Sequence, residues 1–252
     1  MRKLLSCGVL TFCLFGEALA APDEIMVYTE ELNEPGQFGL EQHINYSLQG
    51  AQIPEYPGQM TPHHVLQATP EFSYGISDTL EAGLYVPVAF APDGNSFING
   101  VRLRLKYIAP KTRDEHFFFG LNGEFSRDSI RVSESALTLE LRPIIGYRDE
   151  LWLLSFNPIL NAGLSDNVSH QPQFEPALKL ARRMSDVVHG GIEYYGVYGA
   201  WNQMLPAGQV GHTVYAVLDG ETHGYDINFG IGRGLANTGD DWVIKSVFSL
   251  PF

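Results

Sequence analysis

The sequence predicts an all-β protein, a transmembrane antiparallel up-and-down β-barrel of about twelve strands with both termini on the periplasmic side. Three observations predict it. Segment after segment alternates apolar and polar side chains with a period of two. The connections between those segments alternate between shorter and longer. The chain closes on Asp241-Trp-Val-Ile-Lys-Ser-Val-Phe-Ser-Leu-Pro-Phe252, in which Trp242, Ile244, Phe248, Leu250 and Phe252 share one parity while Lys245 and Ser249 take the other. A helical membrane protein is excluded, because mean hydropathy is −0.07 and nothing after residue 20 approaches the roughly eighteen consecutive apolar residues a spanning helix needs. A barrel wall needs only every second residue apolar.

The chain begins as an export signal. Arg2 and Lys3 form a positive n-region, Leu4 to Phe15 an apolar stretch, and Ala18-Leu-Ala20 a small-x-small cleavage site. Residues 1–20 are therefore expected to be removed, leaving a periplasmic N-terminal lead over 21–35 and an outer-membrane barrel over 36–252. Both cysteines, Cys7 and Cys13, leave with the signal, so no disulfide or thiolate chemistry remains. Loss of Arg2, Lys3 and Glu17 leaves 14 basic and 28 acidic residues of the original 16 and 29. Such a chain has no general attraction for nucleic acid. The 12% aromatic content with 26 Gly and 15 Pro suits short strands joined by turns.

The strands follow in order. Over Gly36 to Leu48, Phe38, Leu40, Ile44, Tyr46 and Leu48 face one side and Glu41, His43, Asn45 and Ser47 the other. Over Val65 to Ile76, Leu66, Ala68, Phe72, Tyr74 and Ile76 oppose Gln67, Thr69, Glu71 and Ser73. After a tight turn at Ser77-Asp78, the alternate residues from Leu80 to Phe90 make the cleanest lipid-type face, with Glu81 and Tyr85 opposite. Val101, Leu103, Leu105 and Tyr107 alternate with Arg102, Arg104 and Lys106, which a membrane tolerates only if the cations point into a polar interior. Further strands are expected at about His116–Ser126, Ser135–Tyr147, Leu151–Asn161, Gln173–Arg183, Val187–Gly199, His212–Asp219, Tyr225–Arg233 and Asp241–Phe252. The shorter connections belong to the periplasmic end and the longer ones, Gln49–His64 and Gly234–Asp240 among them, to the outside. Aromatics such as Tyr46, Phe90, Tyr107, Trp152, Tyr198 and Trp242 suit the interfacial girdles.

The final strand resembles the closing strand of bacterial outer-membrane barrels, which implies that its terminal aromatic is read by the barrel-assembly machinery. More widely, "ELNEPGQFGLEQHINYS" (31–47), "TPEFSYGISDTLEAGLYVPV" (69–88), "NGVRLRLKYIAP" (99–110) and "GRGLANTGDDWVIKSVFSLPF" (232–252) resemble the outer-membrane barrels grouped as the meta-pathway phenol-degradation family. The resemblance implies a transport-like role and carries over no catalytic residue or cofactor.

The inward face is where function is sought. Hairpin register sets Glu81 opposite Lys106 and Tyr85 opposite Arg102, with Glu124 beside Arg102 on the next strand. Glu140 and Arg142 continue the belt, and Lys179 faces Glu193 farther round. These charges either cross-brace the wall or make a transverse field in a narrow pore for small anionic, polar or aromatic solutes, with Arg102, Arg104 and Lys106 as one side of the filter. The rival readings are a closed barrel that acts through its external loops and a hydrolase built on the wall. Ser246 and Gln42 are polar on the lipid-facing parity, but neither has a histidine on its face to act as base. His63 and His64, adjacent in an extended chain, should point to opposite sides and make a poor chelating pair. His43 and His189 face inward. The lead reads first as a loose periplasmic tail and second as a partial plug whose acids meet Arg102 and Arg104. The Pro-rich loop 49–62 reads first as a surface loop and second as a gate. No metal and no cofactor is expected; outer-membrane lipid and a small solute are the expected partners.

Overall fold

A computed structural model describes residues 23–111, 115–222 and 225–251. The stretch expected to be an export signal, Ala21, His223 and Phe252 lie outside them. Twelve wall strands form one closed antiparallel barrel. In chain order they are β1 Phe38–Gly50, β2 Leu66–Ser77, β3 Leu80–Tyr85 continued by Val88–Phe90, β4 Ser96–Ile98 continued by Gly100–Ile108, β5 Phe117–Asp128, and β6 Leu137–Arg148. They continue as β7 Trp152–Asn157 with Leu160–Gly163, β8 Gln173–Phe174 with Ala177–Arg183, β9 Val188–Val197 with Gly199–Ala200, β10 Gly211–Thr222, β11 Tyr225–Ala236 and β12 Asp240–Pro251. Each strand pairs with its sequence neighbours, and β1 pairs with β12 from Gly39↔Pro251 to Gly50↔Asp240. That last pairing removes both free edges, as a barrel in lipid requires. Among the described residues, no helix is long and apolar enough to cross a membrane.

The predicted parity holds in the wall. Leu103 and Leu105 on β4 are exposed, whereas Arg104 and Lys106 between them are buried; on β1, His43, Asn45 and Ser47 are buried toward the interior. The outward cations sit near the rims. The Arg182 guanidinium lies 5.4 Å from the Trp152 ring centroid at the short-turn end, and Arg233 lies 5.4 Å from that of Trp242 near the opposite end. Amphipathic pairs of this kind bridge apolar wall and polar interface.

The connections depart from strict alternation. Residues 237–239 make a three-residue link where a longer loop is expected, because β11 and β12 pair almost to their ends, from Asp226↔Ser249 to Arg233↔Trp242. At the other end, β4 and β5 are joined by the eight residues 109–116. Loop 51–65 does not stand free. Its Ala51 N–H donates to Gly239 O, its Met60 N–H donates to Arg131 O at 2.9 Å, and Met60 packs on Val65 and Ala89 inside the rim. The β6–β7 turn is tight, for Asp149 accepts the N–H groups of Leu151 at 2.8 Å and Trp152 at 2.7 Å and the Tyr147 hydroxyl at 2.9 Å. Those donors hold its carboxyl below the usual aspartate range.

The core of the molecule is the lumen, and the lead fills it. β1 begins and β12 ends at the short-turn end, but the lead runs back through the barrel, placing Asp23 beside Arg102 near the long-loop mouth. The expectation of a loose periplasmic tail is thus overturned. The physical reason is the composition of the lead. Ile25, Val27 and Tyr28 are at most 4% exposed, and burying such side chains is worth roughly 1.5–3 kcal/mol each against leaving them in water. At Gly36, φ of +86° turns the lead into β1, a conformation open chiefly to glycine. A Cβ at Gly75 would strike the Glu34 carbonyl, so β2 lets the lead pass against its backbone.

Candidate functional site

The lead is extended but belongs to no ladder, so its backbone polar groups need other partners inside the barrel. Wall side chains supply them. The Ile25 carbonyl accepts from Lys245 Nζ at 3.0 Å, Met26 O from Arg142 Nη1 at 3.1 Å, and Glu31 O from Lys106 Nζ at 2.7 Å. Tyr28 O accepts from Ser155 Oγ at 2.6 Å and Asn157 Nδ2 at 3.1 Å, while its N–H donates to Asn157 Oδ1 at 2.7 Å. Asn33 N–H donates to Glu81 Oε2 at 2.6 Å.

Tyr28 sits at the waist of the lumen. Its hydroxyl donates to Glu124 Oε1 at 3.0 Å and meets the Tyr85 hydroxyl at 2.7 Å. The Arg142 guanidinium stands 4.2 Å and Lys106 Nζ 5.1 Å from the ring centroid, within cation–π range. The ring packs with Ile108, Phe118, Ile144, Leu153 and Ala181, and Met26 and Leu32 of the lead join that cluster. Ile25 packs with Tyr215, Val217 and Val243, and Val27 with Ile159 and Ala177. The interior thus carries apolar patches on two sides of the lead, which alternation alone does not anticipate. Their signal in the sequence is local: Phe118 within Phe117-Phe118-Phe119 and Val243 and Val247 flanking Lys245 are apolar on the inward parity.

The predicted lumen residues all face inward, and register sets Glu81 across from Lys106, Tyr85 from Arg102 and Lys179 from Glu193. Their partners differ from the expectation, because the lead takes part. Arg102 ion-pairs with Asp23 at 2.9 Å, Glu24 at 3.0 Å and Glu124 at 3.3 Å. Arg104 bridges Glu71 and Glu81, each at 2.6 Å. Lys106 serves the lead backbone. Arg142 pairs with Glu140 at 2.7 Å. Arg104 and Lys106 therefore meet the docked lead, at the Tyr28 ring and the Glu31 carbonyl, rather than an open pore, while Arg102 holds the lead's acids where the lumen widens. Across the barrel, Glu193 holds both Lys245 and Lys179, Lys179 also reaches Asp219 at 2.8 Å, and Tyr195 donates to Glu193 at 2.6 Å. Near the short turns, Arg148 takes Glu30 at 2.9 Å and Glu31 at 2.7 Å.

Sequence reasoning passed over one cluster. His43 Nε2 lies 3.3 Å from Glu71 and 3.8 Å from Glu41, a geometry open to a metal ion. Arg104 already holds Glu71, and Ser249 donates to Glu41 at 3.0 Å, so the cluster also stands as a hydrogen-bonded ion network. The signal was available as parity, since Glu41, His43 and Glu71 all fall on inward positions of adjacent strands. His63 and His64, by contrast, do not point apart. The ring centroids are 3.9 Å apart, because a φ of +59° at His64 breaks the extended backbone that the expectation assumed. Ser246 lies opposite Ile44 and Phe229 on the outer wall.

Above the waist, toward the longer loops, the lumen opens into a cavity of about 330 Å³, at the low end of small-molecule pockets. Its charged lining is Asp23, Glu24, Asp128, Glu140, Glu175 and Asp240 against Arg102 and Arg142, six carboxylates facing two guanidiniums. Ile25, Ile159, Tyr195 and Tyr215 supply apolar surface.

No protein-family profile matches the sequence, and no curated protein matches it. Solved structures do. The fold is similar to that of the COG4313 outer membrane channel from Pseudomonas putida F1, with a TM-score of 0.63 at 12% identity over 91% of this chain and 100% of that one. More distant likenesses include the Pseudomonas putida toluene transporter TodX, with a TM-score of 0.40 at 11% identity over 86% of this chain and 89% of that one, and LpxR from Salmonella typhimurium, with 0.45 at 7% over 85% and 100%. At 12% identity, the likeness to the COG4313 channel supports the fold alone, an outer-membrane type of β-barrel.

Proposed function

We propose that the protein is an outer-membrane channel for small solutes in which the lead sets the resistance of the pore. The observation that carries this reading is the division of the lumen: a solute-sized cavity open toward the longer loops stands in series with a waist occupied by Ile25 to Asn33. A purely structural barrel has no need of an internal strand held by side chains rather than by a ladder. Twelve strands enclose a lumen intermediate between the side-chain-filled eight and the aqueous sixteen or more, so a single extended segment suffices to close it. Similarity to a channel of the same architecture supports the reading. Placement in the outer membrane, with the export signal removed and the C-terminal strand as the assembly signal, belongs to the same proposal, as does an aromatic or small polar solute.

The test is planar-bilayer conductance of the wild-type chain and of one lacking residues 23–33, each first shown to be folded by heat-modifiable gel mobility. The lead's departure leaves wall cations in water rather than in lipid, so the barrel is expected to persist. Wild type should conduct weakly and the shortened chain roughly tenfold more, as a filled lumen becomes aqueous. Equal conductance from two folded proteins would sink the plug, and silence from both would sink the channel.

A further inference from the structure

The cavity above the waist has a chemical peculiarity beyond its charge. Three side chains that line it, Glu24, Asn99 and Asp240, each keep a buried oxygen with no hydrogen-bond donor among the described residues: Glu24 Oε1, Asn99 Oδ1 and Asp240 Oδ1. The Glu24 side chain is 3% exposed, Asn99 1% and Asp240 8%. Other partners do not meet the need. The second oxygen of Glu24 takes Arg102 at 3.0 Å, while Arg142 stands 3.9 Å from Oε1, outside hydrogen-bond reach. Asn99 commits its amide nitrogen to Gln67 at 3.3 Å, leaving its oxygen as the open function. Asp240 has a side-chain hydrogen bond with Ser47, yet its Oδ1 stays open, and among the described residues no lysine or arginine ion-pairs with it. A buried acceptor left without a donor costs about 1–3 kcal/mol, and such atoms are rare enough in native proteins to require an explanation.

All three are acceptors, so what completes them must donate. Six carboxyl groups against two guanidiniums favour a positive guest over a neutral or negative one. Ile25, Ile159, Tyr195 and Tyr215 on the same wall require that it also carry apolar surface. A hard divalent ion answers only the first two demands, since calcium takes six to eight oxygens and gains nothing from aliphatic or aromatic walls. We infer that the cavity binds a small organic ammonium, a primary amine on a compact apolar body, through the open acceptors of Glu24, Asn99 and Asp240. The inference deepens the channel reading by naming the solute class that enters, yet binding itself needs no passage.

The test is isothermal titration of the full mature chain in detergent micelles with 2-phenylethylammonium, with its near-isosteres 3-phenylpropionate and 2-phenylethanol, and with calcium chloride. The ammonium should bind and the carboxylate and alcohol should not. This comparison needs no variant and so survives one that misfolds. Glu24→Gln with Asp240→Asn, checked by gel mobility, should weaken ammonium binding by about tenfold or more. Equal binding of the three organic probes, preference for calcium, or an affinity indifferent to the double substitution would each overturn the assignment. So would binding that appears only when the amino terminus is acetylated, for the chain's own terminal ammonium would then be the occupant. A chain that conducts but does not bind the ammonium loses this inference alone. One that binds it but never conducts, with or without its lead, keeps the site and loses the channel.

Discussion

The waist of the lumen and its mouth, only a few residues apart along the lead, treat polar groups in opposite ways. At the waist, Lys106, Arg142, Ser155, Asn157 and Lys245 each donate to a lead carbonyl, and the Tyr28 hydroxyl has two partners. At the mouth, Glu24, Asn99 and Asp240 hold open acceptors around a cavity. A wall of one strand type thus builds a closed section and a receptive one, and the difference lies in whether the lead satisfies the wall. The lesson is that charge in a barrel interior cannot be read as selectivity until its partners are known. Arg104 and Lys106 look like a filter on β4 and serve instead as clamps.

The largest disturbance of that contrast short of removing the lead should come from Tyr28→Ala. It deletes a ring 2% exposed together with both hydroxyl contacts. Truncating a buried aromatic costs about 3–5 kcal/mol, here charged against lead docking rather than the barrel wall. A cysteine placed at Val27 should then react with a water-soluble maleimide, whereas the same cysteine beside an intact Tyr28 should remain protected. Protection unchanged by Tyr28→Ala would mean that the waist is not held by that residue.

Next comes Lys245→Met. It leaves Glu193, 1% exposed, with Lys179 and Tyr195 but without its main cation, and frees the Ile25 carbonyl. Breaking one partner of a buried pair costs about 3–5 kcal/mol, and the surviving partners place this case near the lower figure. Urea unfolding followed by gel mobility reads it. Glu193→Gln added to Lys245→Met should recover part of the loss, and a double variant worse than the single would show that the pair is not the source.

These contrasts mark what the sequence could disclose. Parity showed which side each wall residue takes, because a period of two is a property of the strand itself: Leu103 and Leu105 out, Arg104 and Lys106 in. Register followed from the turns, so that Glu81 meets Lys106 across β3 and β4. The lead escaped because it has no period. Among its partners, Asn157, Arg142 and Lys245 lie 116 or more residues away on three separate strands, and a segment bonded by side chains leaves no ladder pattern to read. The inward apolar residues Phe118, Ile144 and Val243 were the available clue, since an apolar patch in a water-filled lumen requires something to cover it. At the mouth, Arg102, Glu140 and Arg142 were legible as inward charges, but Asp128, Glu175 and Asp240 sit at strand ends where alternation gives no side, and the unmet acceptors depend on which atoms the lead leaves untouched.

A smaller effect is expected where the lead leaves the barrel. Arg148→Ala removes the pairs with Glu30 and Glu31, and Glu31 is 69% exposed. The exposed Glu31 pair is worth about 0–1 kcal/mol, and Glu30, 12% exposed, keeps Lys111 at 3.4 Å, so maleimide protection at residue 27 should change little and conductance should stay near wild type. A change as large as that of Tyr28→Ala would move the anchor of the lead from the waist to its exit and reverse the comparison.

The smallest effect is one of pH, at the turn that follows Arg148. The Leu151 and Trp152 N–H groups and the Tyr147 hydroxyl stabilise the ionised form of Asp149 and lower its pKa. A group lowered on folding contributes stability that is fully present above its unfolded value, about 3.9, and is lost as pH falls through the folded value. Carbon-detected NMR titration of the Asp149 carboxyl in the folded barrel should find a midpoint below the ordinary aspartate value, and Asp149→Ala should abolish the acid-side loosening of the β6–β7 turn while leaving its behaviour at neutral pH governed by the strands. A midpoint at or above the ordinary value would show that the three donors do not hold the carboxylate. In that case the turn would have to take its shape from β6 and β7 alone, and the position of Arg148 against the lead would owe nothing to the turn beside it.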